Sequence, residues 1–171
     1  MANTYKLIEA TTLGSDTASI TFSAIPATYT DLHLLTSVRI NRAGISVNMN
    51  LQFNGSSSNY TNLALYSGGT TVDSLASAVL NGFGYWYSPG NGATADTFSN
   101  ASVYISNYTS SEYKPISIDS TSENNGTDTN LISFTGVWSD AAAITSITLR
   151  NYQGSNLRQN STAYLYGIKK D

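Results

Sequence analysis

Apolar and polar residues alternate along most of this chain, and the stretch Ser19–Leu35, SITFSAIPATYTDLHLL, sets the pattern. Ile20 and Phe22 alternate with Ser19, Thr21 and Ser23, the period-two signature of a strand with one buried face. Ile25-Pro26 ends that strand, because proline offers no N–H to a ladder and restrains the residue before it. Ala27–Thr30 turn the chain and a second alternation starts at Asp31, so the stretch is expected to form two strands joined by a turn, an opening hairpin. The second strand carries Leu32, Leu34, Val38 and Ile40 on one face, with Thr36 as the polar position among them. About ten residues of strand span roughly 33 Å, long enough for a central strand of a sandwich.

The same reading extends over the rest of the chain. Tyr5–Leu13 is a first strand, ended by Gly14-Ser15-Asp16. After a polar turn at Asn41–Gly44, Val47, Met49, Leu51 and Phe53 alternate up to Asn54-Gly55, a dipeptide that favours tight turns. Ser56–Asn59 read as a surface loop, and Tyr60–Tyr66 is compatible with a short strand. One segment breaks the pattern. Within Thr71–Gly82, Val72, Leu75, Ala76, Val79 and Leu80 fall at helical spacing. Thr70 or Thr71 offers an N-cap, Asp73 sits in the first turn, and Asn81-Gly82 makes a stop, so a short helix is expected there. The alternative is an irregular crossover between two sheets. Strands resume at Gly84–Tyr87 and break at Ser88-Pro89-Gly90-Asn91-Gly92. Phe98–Tyr108 carries Ala101, Val103 and Ile105 on one face, and Ile116 and Ile118 mark a strand after Pro115. Glu123–Gly126 is a turn. Ile132, Phe134, Gly136 and Trp138 alternate, with Trp138 as a core anchor, and Thr145–Tyr152 and Ala163–Lys169 close the chain. About ten strands, one short helix and no repeat predict an all-β protein, an antiparallel β-sandwich of jelly-roll type forming a single domain over 1–171.

Composition narrows the functional classes. A domain of 171 residues buries roughly 70% of its unfolded surface, so a core forms without staples. None are available: the chain has no cysteine, which excludes disulfides and thiolate metal sites and fits a reducing cytosol. Only 11% of residues are charged, and Ser, Thr and Asn supply the polar surface instead. A net charge of −3 with scattered basic residues, the nearest to a cluster being Lys169-Lys170, argues against nucleic acid as a partner. No apolar run reaches the length of a membrane span, and MANTYKLIEA lacks the build of a signal peptide. The expectation is a soluble protein that is not exported by the usual route.

Candidate chemistry is sparse. The single histidine, His33, lies between Leu32 and Leu34, so alternation turns it away from them toward solvent or a neighbouring subunit. No G-x-S-x-G elbow surrounds any serine. Glu9, Glu112 and Glu123 are the only glutamates, and the aspartates lie mainly at turns, which accounts for them without a carboxylate pair. Asp119–Asp128, DSTSENNGTD, has the oxygen-rich look of a calcium loop but not EF-hand spacing. Six N-x-S/T triplets, at Asn54, Asn59, Asn100, Asn107, Asn125 and Asn160, follow from the abundance of Asn, Ser and Thr and carry no meaning without a secretory signal. No catalytic residue, cofactor or metal is expected. Tyr85-Trp86-Tyr87 stands apart. Tyrosine and tryptophan stack on sugars and dominate protein–protein hot spots, so these three are the candidate interface or glycan contacts. In a strand Tyr85 and Tyr87 would share one face and Trp86 take the other, and one side could equally complete the core.

Five stretches carry a family resemblance: YKLIEATTL near the start, SITFSAIPATYTDLHLLTSVR, LQFNG at 51–55, AITSITL at 143–149 and the terminal YLYGIKK. Together they resemble a family of small virion structural proteins of tailed bacteriophages, associated with aquatic and cyanobacterial hosts. The likeness covers about the first 55 residues and the last 30, not 56–142. It implies a β-sandwich or jelly roll used as a particle component, and it brings no active-site residues. Two placements follow from it. A head-decoration (cement) protein binds the outer capsid lattice, commonly as a trimer, with the major capsid protein or other virion proteins as partners. A tail-fibre or receptor-binding module holds host glycans instead. The chain has only a few residues outside its first and last strands, which leaves no length for a fibre shaft and favours decoration. A free carbohydrate-binding protein or hydrolase is the third class. The expectation is a non-enzymatic virion protein, assembled in the host cytoplasm.

Overall fold

The chain pairs its strands from the outside in. The computed structural model describes residues 4–68, 71–123 and 129–169, and twelve strands run through them. They are β1 (Tyr5–Thr12), β2 (Ser19–Phe22), β3 (Asp31–Val38), β4 (Ser46–Phe53), β5 (Tyr60–Gly68), β6 (Val72–Leu80), β7 (Tyr87–Pro89), β8 (Ser99–Ile105), β9 (Lys114–Glu123), β10 (Thr129–Trp138), β11 (Ile147–Asn151) and β12 (Thr162–Ile168). β1 pairs β12, β2 pairs β11, β3 pairs β8 and β4 pairs β7, all antiparallel. β12 also lies against β3, and β11 against β4. Two additional pairs, β5 with β6 and β9 with β10, widen one side. The result is an all-β, antiparallel two-sheet sandwich: an eight-stranded sheet in the order β1-β12-β3-β8-β9-β10-β5-β6 and a four-stranded sheet in the order β2-β11-β4-β7.

Alternation places the core as the sequence implies. Leu32, Leu34, Thr36 and Val38 of β3 point inward, with His33, Leu35 and Ser37 on the opposite face. Ile20 and Phe22, Met49, Leu51 and Phe53, Val103 and Ile105, and Ile147 and Leu149 meet them from the other strands in one continuous cluster. Thr36 is the polar member, and its buried Oγ1 has no hydrogen-bond partner. Trp138 is a core residue, as expected.

The eight-stranded sheet overhangs the four-stranded one, and residues 81–86 cover the overhang. Phe83 is fully buried there, with ring centroids 5.5 Å from Phe53, 4.8 Å from Tyr60 and 6.0 Å from Phe134. Its ring fits because β10 has a glycine beneath it: a Cβ on Gly136 would come within 2.6 Å of the Phe83 ring. Trp138 completes the aromatic group, 5.6 Å from Phe53.

Several expectations need correction. The helix over Thr71–Gly82 is instead β6, an edge strand paired to β5. Among its described side chains, Val72 and Ala76 of the expected apolar stripe are exposed rather than buried. The segment's Thr71, Val72, Ser74, Ser77 and Val79 are weak helix formers that offset its two alanines and two leucines. β5 offers an open row of backbone donors and acceptors, and pairing them outweighs the helical spacing. The expected opening hairpin does not form either: β2 and β3 belong to different sheets, and residues 23–30 carry the chain across the core edge. Gly84–Tyr87 is not a strand; the short strand is Tyr87–Pro89, inside the expected break, with Pro89 on the sheet's edge strand where a missing N–H costs least. Of the oxygen-rich stretch 119–128, Asp119–Glu123 finish β9, while 124–128, with most of the expected turn at Glu123–Gly126, lie outside the described residues.

Candidate functional site

The sandwich presents two outward faces. On the narrow sheet the outward positions are polar and mutually bonded. Asn50 Nδ2 donates to the Asn81 carbonyl at 3.0 Å and Gln52 Nε2 to Asn81 Oδ1 at 2.6 Å. Arg150 donates to Asn50 Oδ1 at 3.2 Å and to Asn81 Oδ1 at 3.3 Å. At the end of this network is a cleft of about 90 Å³ lined by Asn48, Gly82, Gly84, Tyr85, Tyr152 and Gln153.

Local backbone chemistry builds each wall. Asn151 is fully buried and holds the turn after β11: its Oδ1 accepts from the backbone N–H of Gln153 at 3.1 Å and of Ser155 at 3.0 Å, and its Nδ2 donates to the Asn48 carbonyl at 2.7 Å. Tyr152 N–H donates to the same carbonyl at 3.1 Å. On the other side, Gly82 takes φ 112° and packs so tightly on β4 that a Cβ would lie 2.6 Å from Asn50 Nδ2. Tyr85 adopts φ 67° without being glycine, a conformation that costs about 1–3 kcal/mol and holds only where the surroundings impose it. Trp86 imposes it, being fully buried, with its carbonyl accepting from Met49 N–H at 2.8 Å. One lining residue also carries an unsatisfied group. Asn48 Oδ1 is buried and has no hydrogen-bond partner.

The aromatic triplet is thus divided. Trp86 belongs to the core and offers no face to a ligand, while Tyr85 and Tyr87 are half-buried at the surface. Burial raises the pKa of Tyr87, and the neighbouring Tyr66 and Tyr85 phenols add to the rise. Tyr152, Asn48 and Gln153 were not legible as site residues, since they come from other strands and turns. The one available signal was the polar-aromatic turn sequence NYQG at 151–154.

The outward face of the wide sheet has a different character. Leu63 (50% exposed), Leu65, Val72 (71% exposed) and Leu131 lie together on β5, β6 and β10, with Ser133 opposite Leu65 and Thr135 opposite Leu63. Three adjoining shallow hollows of about 250, 240 and 190 Å³ run along them. At the other end Tyr5, Leu7, Tyr104 and Tyr164 are exposed around His33. The His33 ring lies 5.9 Å from Tyr5 and 6.2 Å from Tyr104, and its Nε2 shares a 2.7 Å hydrogen bond with the Ser102 hydroxyl. Tyr104 donates to Asp31 Oδ2 at 2.6 Å, and that bond, with burial and the carboxylate charge, pushes its pKa up to about 12.

Burial lowers the pKa of His33 below its ordinary 6.5. Between the lowered value and 6.5 the unfolded chain binds more protons than the folded one, so stability rises with pH across that window. The protein is expected to lose stability as pH falls through 6.5, and His33→Gln to flatten that part of the profile. Urea unfolding at stepped pH measures both. Asp31, two residues away on the same strand face, and the phenols of Tyr5, Tyr104 and Tyr166 are the other titratable groups around the ring.

Among the described residues no group of three or more His, Asp or Glu side chains converges as a metal site would require, and no helix is long and apolar enough to cross a membrane. No family model matches the chain, and no curated protein matches it.

Proposed function

We propose that this chain is a non-enzymatic virion structural protein, a head-decoration protein that binds the outer capsid lattice through the outward face of its wide sheet. The observation that carries the reading is the Leu63, Leu65, Val72 and Leu131 patch with its row of hollows. Exposed aliphatic side chains grouped on one sheet face mark an interaction surface rather than the scatter of an ordinary exterior. The resemblance to virion structural proteins supplies the class of partner. The nested pairing β1–β12, β2–β11, β3–β8 and β4–β7, with β5-β6 and β9-β10 inserted, supports reading the sandwich as a jelly roll folded from one long hairpin. That architecture recurs in capsid and lectin domains and so agrees with both placements on a particle.

The proposed action is mechanical. Internal DNA pressure pushes capsomers apart, and a protein bridging them adds contact that must break before the shell opens. Burying a leucine is worth about 1.5–3 kcal/mol when the side chain starts fully exposed, and repeated copies add avidity. Self-association into a trimer belongs to the same reading and is checked by sedimentation.

Particles stripped of the protein are expected to lose heat and osmotic resistance and to regain both on re-addition. The Leu63→Asp/Leu65→Asp double variant should fold normally yet bind stripped particles at least about tenfold more weakly, because two charges would then be buried at the contact. Unchanged resistance after stripping, with the labelled protein at the tail tip, would overturn decoration in favour of a receptor-binding role.

A further inference from the structure

The cleft on the narrow sheet is chemically unlike the leucine patch and lies on the opposite face of the sandwich. Its lining combines two phenol rings, Tyr85 and Tyr152, with two carboxamides, Asn48 and Gln153, and two glycines that leave the backbone bare. Among the described residues no charged side chain lines it. A pyranose ring has matching chemistry: an apolar C–H face that stacks on an aromatic ring, and an edge of hydroxyls that exchange hydrogen bonds with amides and main-chain groups. Asn48 lines the cleft, and its buried Oδ1 has no partner, so a hydroxyl satisfies that acceptor once the carboxamide turns toward the ligand. Tyr85 is held at φ 67° by the packed Trp86 beside it, and Tyr152 by the Asn151-bonded turn, so both rings start from fixed backbones.

We propose that this cleft binds one ring of a neutral sugar, with Tyr85 and Tyr152 as stacking faces and Asn48 and Gln153 as hydroxyl partners. Its volume of about 90 Å³ equals that of about three waters, so it seats an edge of a ring without enclosing it. Single-site affinity is therefore in the millimolar range, and useful retention comes from many copies presented together. The inference does not require the capsid contact. On a particle held through the wide sheet, however, this cleft would face outward.

The test uses the full chain in solution with the methyl glycosides of glucose, galactose and N-acetylglucosamine as probes. Cyclohexanol serves as a ring of the same size with one hydroxyl. Ligand-observed and side-chain NMR titrations report binding and its position. Saturable binding of a glycoside that shifts the Tyr85 and Tyr152 rings, weakens about tenfold in Tyr152→Ala, and is unchanged in Tyr5→Ala on the other face supports the site. Gln153→Ala, on an exposed turn, gives a second variant that leaves the core intact and should weaken binding several-fold. No saturable binding of any glycoside, binding indifferent to Tyr152→Ala and Gln153→Ala, or cyclohexanol binding as tightly as the glycosides would each overturn it. These outcomes leave the capsid reading untouched, because that reading is measured on the opposite face.

Discussion

Phe83→Ala is expected to cost about 3–5 kcal/mol of stability, a large part of what a domain of this size has. The ring fills the space between the overhang of the wide sheet and β4, in contact with Phe53, Tyr60 and Phe134, and lies directly over Gly136. Its backbone is also tied to Leu51 by hydrogen bonds of 2.9 and 3.0 Å in both directions. Truncation leaves those bonds but removes the packing that holds residues 81–86 against the core. Urea unfolding should show the midpoint drop, and Phe83→Leu should recover part of it. Gly136→Ala presses on the same ring from beneath, so its cost should shrink in the Phe83→Leu background, a coupling that a double-mutant cycle reads. Because Tyr85 follows two residues later, loosening this segment should also blur the cleft.

The second large effect is expected at Arg39. Its guanidinium is buried at the end of β3 and donates to the carbonyls of Gly90 (2.8 Å), Ala93 (3.3 Å), Thr94 (2.7 Å) and Thr97 (2.9 Å) and to the Thr97 hydroxyl (3.1 Å). One side chain thus organises the loop between β7 and β8. Arg39→Met would keep much of the apolar stem but leave several carbonyls unpaired in a buried setting, at about 3 kcal/mol or more. Arg39→Lys should restore little, since a single ammonium cannot reach from Gly90 to Thr97 as the planar fork does. Thermal unfolding gives the global loss. Hydrogen exchange at the Gly92, Ala93 and Thr97 amides, bonded to Gly44, Gly90 and Thr94, should show the loop opening first.

Arg39 shows where reading the chain residue by residue stops. Alternation between Val38 and Ile40 turns it outward, yet a loop fifty residues later folds over it. The inward faces of β3 and β8 were legible because each strand is buried on one side, which makes period two unambiguous, and that of β4, buried on both, because Asn48, Asn50 and Gln52 keep its other face polar. β6 was not, because an edge strand exposed on its described faces records no burial pattern and leaves chance spacing to mimic a helix. The turn at 27–30 was visible, but a hairpin and a passage between layers use the same turn residues, so sheet membership was not. For the cleft, Tyr85 could be singled out from its aromatic neighbours. Its counterparts Asn48, Tyr152 and Gln153 could not, since only the β4–β11 pairing brings them together.

That outside-in pairing also governs how the chain comes to be folded. Tyr5 lies opposite Ile168, and the edge of β3 that receives β12 stays open until that last segment arrives. Closing contacts across nearly the whole chain is slow, in the millisecond-to-second range typical of all-β topologies. During synthesis the first strand therefore waits beside unpaired, aggregation-prone edges, and the sandwich locks only after β12 has left the ribosome.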